Sequence, residues 1–313
     1  MNKFDTKQHL AAVCWITTLT LLAFLCFTQL GVMLSLLMGH VGMAWVAPMA
    51  LVLALVLGDR LGCRIKLPAS ERLWPPALAL GTLAVSLAVS AWYFDLSWDG
   101  QWYHQTAVYA LAGDWNTLTE PMRGFTSHLE LYVRHYAKGP WYVAAAICNT
   151  IGQFECGKCT AIIAWVAMGL AVFAAGLDWG LRRRYAAAIT AVIALNPVVM
   201  SELTTYLVDG ILISFLVVVA AVMFSAFRRP QPVLVWVGIL ASILSINAKL
   251  TGLVFLCFVF AAGWVWCVAF HRPWLLRYTG LTALALVLGV AVFGYNPYVT
   301  NTIRVYPLRI RKG

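Results

Sequence analysis

Charge is what this chain lacks most. Of 313 residues only 12 are acidic and 22 basic, so charged side chains make up 11% of the sequence against 62% hydrophobic. Soluble domains carry roughly one quarter charged residues, so this shortage excludes an ordinary soluble fold. With a mean hydropathy of +0.81, it defines an all-α polytopic membrane protein. The net charge of +10 does not indicate a nucleic-acid partner, because the basic residues fall in short clusters between apolar runs, where the positive-inside rule accounts for them. Metal-ligand spacing is also missing. The 6 histidines form no HxxxH or HExxH, and the lone Cys156-Gly-Lys-Cys159 cannot complete a four-ligand zinc site. That CxxC reads as incidental spacing, and Cys14, Cys26, Cys257 and Cys267 sit in apolar spans as small hydrophobes. No internal repeat recurs, and no charge lies near the middle of the runs 207–226 and 252–270. Both absences weigh against a transporter or flippase, which places ionisable groups at mid-span.

What is present is a series of apolar runs near the ~20 residues a crossing helix needs. They cover 11–38, 41–58, 74–94, 159–180, 185–201, 207–226, 232–249, 252–270 and 278–294. The first is too long for a signal-peptide core and reads as a retained span. Basic clusters at Lys3/Lys7, Arg60/Arg64/Lys66/Arg72, Arg182–Arg184, Arg228/Arg229 and Arg272/Arg277 belong on the cytoplasmic side. Counting 140–152 as a crossing would flip every later cluster, so that short segment belongs outside. The expectation is about nine transmembrane helices, a cytoplasmic N-terminus, and one outer segment, 95–158, with at least two membrane-parallel helices. The first of these is 100–112, with Trp102, Tyr103 and Tyr109 at headgroup depth. A basic tail, 301–313, then falls outside with Arg304, Arg309, Arg311 and Lys312, against the rule that orders the rest.

The few acids are unevenly placed. Five of the 12 (Asp95, Asp99, Asp114, Glu120 and Glu130) lie between 95 and 140, and the same outer segment holds His104, His128, His135 and Lys138. Two further polar clusters reach the same face, Ser201–Gly210 with Asp209 and Asn247–Thr251 with Lys249. Asp209 and Lys249 either pair or reach water. Asp95 and Asp99 flank Leu-Ser-Trp and precede Gly100. A helix would set the two on one face to repel, whereas a turn lets them take separate tasks. Trp98 and Trp102 should limit water access and favour the carboxylate nearer the membrane as a base. The histidines leave a divalent ion open, but catalysis by a carboxylate needs fewer groups, so no cofactor is expected. Thirteen of 41 aromatics fall between Trp92 and Tyr142, most of them as an interfacial belt.

The span ending Phe94-Asp95-Leu-Ser-Trp-Asp99, the long outer loop, His135-Tyr-Ala-Lys-Gly-Pro-Trp-Tyr142, the arginine turn 182–184, and Asn196-Pro197 followed by Asp209-Gly210 together resemble the GT-C superfamily of membrane glycosyltransferases. That superfamily includes protein O-mannosyltransferases, aminoarabinose transferases and oligosaccharyltransferase catalytic subunits. The resemblance covers about 74–300, with 1–60 as an appended helix pair. It implies inverting transfer of a sugar from a polyprenyl-phosphate donor to an extracytoplasmic acceptor, in the bacterial inner (plasma) membrane of the cell envelope. Asp95 or Asp99 would be the general base, Lys138 and Lys249 would hold the lipid phosphate, and His104, His135 and Asp209 would line the substrate site. The basic ending is what a truncated member would show, which makes a non-catalytic membrane subunit one alternative and a transporter or flippase the other.

Overall fold

In this computed structural model, the described residues are 6–40, 42–113, 115–117, 133 and 136–294. Asp114, Glu120, His128, Glu130, His135 and the basic tail lie outside them. Among the described residues there is no strand. The helices are α1 (Thr6–Leu37), α2 (Val46–Arg64), α3 (Trp74–Trp92), α4 (Gln105–Ala112), α5 (Gly139–Ile151), α6 (Cys159–Asp178), α7 (Arg183–Ala194), α8 (Pro197–Glu202), α9 (Asp209–Arg228), α10 (Pro232–Ala248), α11 (Thr251–Phe270) and α12 (Leu275–Gly294). A π turn, Gly100–His104, runs into α4, and 3-10 turns precede α6 and α12.

Among the described residues seven helical units are long and apolar enough to cross a membrane: α1, α2, α3, α6 with its 3-10 turn, α9, α11 and α12 with its own. Of the other expected crossings, α10 has 17 residues and α7 only 12. The run expected as one span over 185–201 is broken. Pro197 has no N–H to donate and disfavours helical geometry at Asn196. Asn196 accordingly turns extended, and its Oδ1 accepts from Val198 N (3.0 Å) and Val199 N (3.4 Å) to cap α8.

α1 sits at the centre, packed against α2, α3, α5, α6 and α10 in one continuous core. Its polar residues suit that position, because Thr17, Thr18, Thr20 and Thr28 each donate to the carbonyl four residues back, at 2.7–2.9 Å. These four hydroxyls are thereby paired within the helix, whereas the buried Gln29 Oε1 on α1 and the Ser86 and Ser90 hydroxyls on α3 meet no partner among the described residues.

Cross-helix bonds fix the directions. Trp15 Nε1 donates to Asp178 Oδ2 (2.9 Å), Ser225 Oγ donates to the same oxygen, and Arg229 stands 3.9 Å from Asp178 Oδ1. One end therefore gathers the start of α1 and the ends of α6 and α9. Trp165 Nε1 reaches Ala194 O at 2.9 Å, so α7 returns beside α6. The helix expected along the membrane surface at 140–152 is α5. It is buried continuously from Gly139 to Cys148, covered by α1, α2, α4 and α10.

Candidate functional site

The bundle end opposite Asp178 carries every described residue expected at a site. After α3 the chain turns extended at Tyr93 (ψ 137°) and Asp95 faces inward, 2% exposed. Its Oδ1 accepts from Ser97 N (2.9 Å) and Ser97 Oγ (2.6 Å), and its Oδ2 accepts from Tyr206 N (2.7 Å). Gln101 and Gln105 donate to its main-chain carbonyl at 3.2 and 3.1 Å. A Cβ on Gly100 would collide with Asp95 Oδ2 and Ser97 Oγ, so the turn needs glycine here. Asp95 is therefore a clasp between the end of α3 and the loop before α9.

Asp99, four residues on, points the other way. It is exposed and makes no hydrogen bond or ion pair among the described residues. The expected tryptophan cover is not there: Trp98 is 81% exposed. Asp95 is shielded instead by its own turn and by the Tyr206 loop.

The π turn aims two consecutive side chains inward. Gln105 N–H bonds Gly100 O across it, and this wider ring buries both Tyr103 and His104. Tyr103 thus leaves the aromatic belt expected of it, whereas Tyr109 is 72% exposed. His104 packs among Tyr103, Tyr136 and Trp141. Its Nδ1 accepts from Trp141 Nε1 at 2.8 Å, which places the proton of a neutral ring on Nε2. Burial lowers the His104 pKa to about 3; Asp95 and Asp209 pull it upward and Lys249 pushes it down. The ring is neutral at physiological pH.

Asp209 opens α9, and its Oδ1 accepts from Lys249 Nζ at 2.7 Å. Both are partly exposed, and Lys249 Nζ lies 5.9 Å from the Tyr136 ring centroid. Burial works against the ammonium, but Asp209 and Tyr136 outweigh it and hold its pKa above the usual lysine value. The Tyr136 ring packs against Tyr103, centroids 5.2 Å apart, and the Tyr103 phenol is pushed well above its ordinary value by burial first, then by Tyr136 and by the charges of Asp99 and Asp209. Asp209, Lys249, Tyr136 and Tyr103 thus follow one another through an ion pair and two ring contacts, and the charge of Asp99 acts on Tyr103.

Lys138 lies below it, buried, with Nζ donating to Tyr136 O at 3.3 Å. Glu202, on α8, is buried and accepts from Gly210 N at 2.6 Å. Among the described residues no three His, Cys, Asp or Glu side chains are grouped to share a metal ion. Cys156 and Cys159 are free, buried thiols.

Tyr136 and Glu202 are the functional candidates that sequence reasoning passed over. Tyr136 sits inside the His135–Tyr142 segment, and Glu202 faces the start of α9. The fold and composition define an integral membrane protein of α-helices. No family model, curated protein or solved structure matches the chain.

Proposed function

We propose that this chain is an integral membrane glycosyltransferase that moves a sugar from a polyprenyl-phosphate donor to an extracytoplasmic acceptor, with Asp99 as general base. One observation carries the reading. Of the two carboxylates at the end of α3, Asp95 is spent on holding the turn, while Asp99 is exposed four residues before Tyr103, which packs on Tyr136 and so joins the Lys249–Asp209 pair. In the reaction Asp99 takes the proton of the acceptor hydroxyl as that oxygen bonds the sugar's anomeric carbon. The bond from that carbon to the phosphate oxygen breaks, and the lipid phosphate leaves with the electron pair. Lys249, held charged by Asp209, offsets the negative charge that develops on the phosphate. His104 is neutral and Asp95 is saturated, so both are positioning residues.

The finer topology belongs to the same proposal. It has nine crossings that include α10 and the broken α7–α8 unit, a cytoplasmic N-terminus, and the segment 95–158 outside, in a bacterial inner membrane. A second reading, a non-catalytic membrane subunit, draws support from the Asp209–Lys249 pair, which neutralises two of the candidate charges.

Incorporation of labelled sugar from a polyprenyl-phosphate donor, measured in membranes, tests the assignment. Asp99→Asn should lower the rate by ~10²–10⁴-fold, as loss of a general base does, at unchanged protein level. Full activity in Asp99→Asn would sink Asp99 as base, and no transfer by the wild-type chain from any such donor would favour the subunit.

A further inference from the structure

A cleft of about 420 Å³ lies at the opposite, basic end of the bundle, between α9, α10, α11 and α12. Its walls are apolar, from Val222 and Met223 on α9 through Gly238 and Ile239 on α10 to Phe260 on α11 and Leu281 on α12. The polar atoms within it are already spent. Ser242 Oγ donates to Gly238 O (2.7 Å), Tyr278 Oη to Phe260 O (2.9 Å) and Thr282 Oγ1 to Tyr278 O (3.0 Å). An occupant's body gains nothing there from polar groups of its own, and a buried polar group without a partner is costly.

The mouth is different. Arg277 is exposed, its guanidinium 5.1 Å from the Trp274 ring centroid, and it makes no hydrogen bond or ion pair among the described residues. Gln231 also lines the cleft, and its side-chain amide makes no hydrogen bond among the described residues. No carboxylate lines the cleft. An apolar slot of this size with a few donors at its rim is the form of a small-molecule site. Helices α9 and α11, and α12 with its preceding 3-10 turn, are each long and apolar enough to cross a membrane, so the slot runs at acyl-chain depth and its mouth at headgroup level.

We infer that this cleft binds one anionic membrane phospholipid, with an acyl chain in the slot and the phosphate on Arg277 and Gln231. The site is separate from the proposed transferase centre and does not depend on it. The charge at the mouth selects the headgroup, and the dry wall selects the chain.

The test is native mass spectrometry of the full chain released from nanodiscs of equal phosphatidylglycerol and phosphatidylcholine. The wild-type chain should retain one phosphatidylglycerol in preference to phosphatidylcholine. Arg277→Gln, at an exposed position that leaves folding intact, should erase that preference and weaken phosphatidylglycerol binding roughly tenfold, as expected for loss of a charge-assisted hydrogen bond. Gly238→Leu, whose side chain enters the floor against Val222, should reduce retention of either lipid. Equal retention of the two lipids by the wild type would overturn the inference. So would an undiminished preference in Arg277→Gln, or a lipid-free dimer closing the cleft.

Discussion

Asp95 and Asp99 are the same residue type four positions apart, and their fates are decided by what each side chain meets. Asp95 meets Tyr206 N, 111 positions away in the chain, and no local pattern of residues announces that partner. The sequence was enough to single out both acids and the turn after them, but not to tell clasp from open carboxylate, because burial here is a tertiary event. Gly100 gives the sharper test, since its missing Cβ is what lets the Asp95–Ser97 knot close. Gly100→Ala should lower thermal stability in detergent by about 1–3 kcal/mol, the usual cost of forcing atoms into a packed site; an unchanged melting temperature would show that the turn relaxes freely. His104 predicts a pH dependence. An unfolded histidine takes up its proton near 6.5, whereas folded His104 stays neutral down to about 3. Its share of the stability is therefore fully present above pH 6.5 and is lost as pH falls toward 3, by at most about 1.4 kcal/mol per unit. His104→Gln, which keeps an acceptor for Trp141 without the titration, should show a shallower acid limb in melts between pH 6.5 and 4. Equal slopes in the two proteins would refute the assignment.

At the scale of elements, long uniform apolar runs translate directly into helices, as at α3, α9 and α11, because length and hydropathy alone select a spanning helix. The run over 185–201 misleads because hydropathy does not weigh one proline, and Pro197 with the Asn196 cap divides it into α7 and α8. Asn196→Ala removes the acceptor for two N–H groups and should cost about 1 kcal/mol, read as a small drop in melting temperature with expression unchanged. A variant as stable as the wild type would mean water caps α8 instead. The segment 139–151 is too short to cross, and what its sequence did not announce is its burial: its small residues Ala144, Ala145 and Ala146 let α1 and α4 close over it. Tyr103 looked like one more interfacial aromatic because a π turn has no sequence signature, and only that wider ring turns it inward beside His104.

Across the whole molecule the two ends differ in chemistry. Asp95, Asp99, Asp209 and Lys249 lie at one end, while Asp178 is bonded by Trp15 and Ser225 at the other, with Arg229, just after α9, 3.9 Å away. This polarity was legible from charge bookkeeping alone, because a basic cluster after every second apolar run is a pattern in the sequence, whereas the Asp178 knot depends on three helices meeting. The positive-inside rule turns the polarity into an orientation that thiol labelling can read. Only Cys63 and Cys257 are exposed among the eight cysteines, so Cys257→Ala leaves a single accessible thiol, near the basic end of α2. Adding Ser201→Cys, at an exposed position on α8, places a second thiol at the acidic end. In intact cells a membrane-impermeant maleimide should label Ser201→Cys within minutes and spare Cys63 until the membrane is permeabilised. Labelling of Cys63 alone in intact cells would put the acids on the cytoplasmic face, and with them any donor or acceptor that Asp99 could serve.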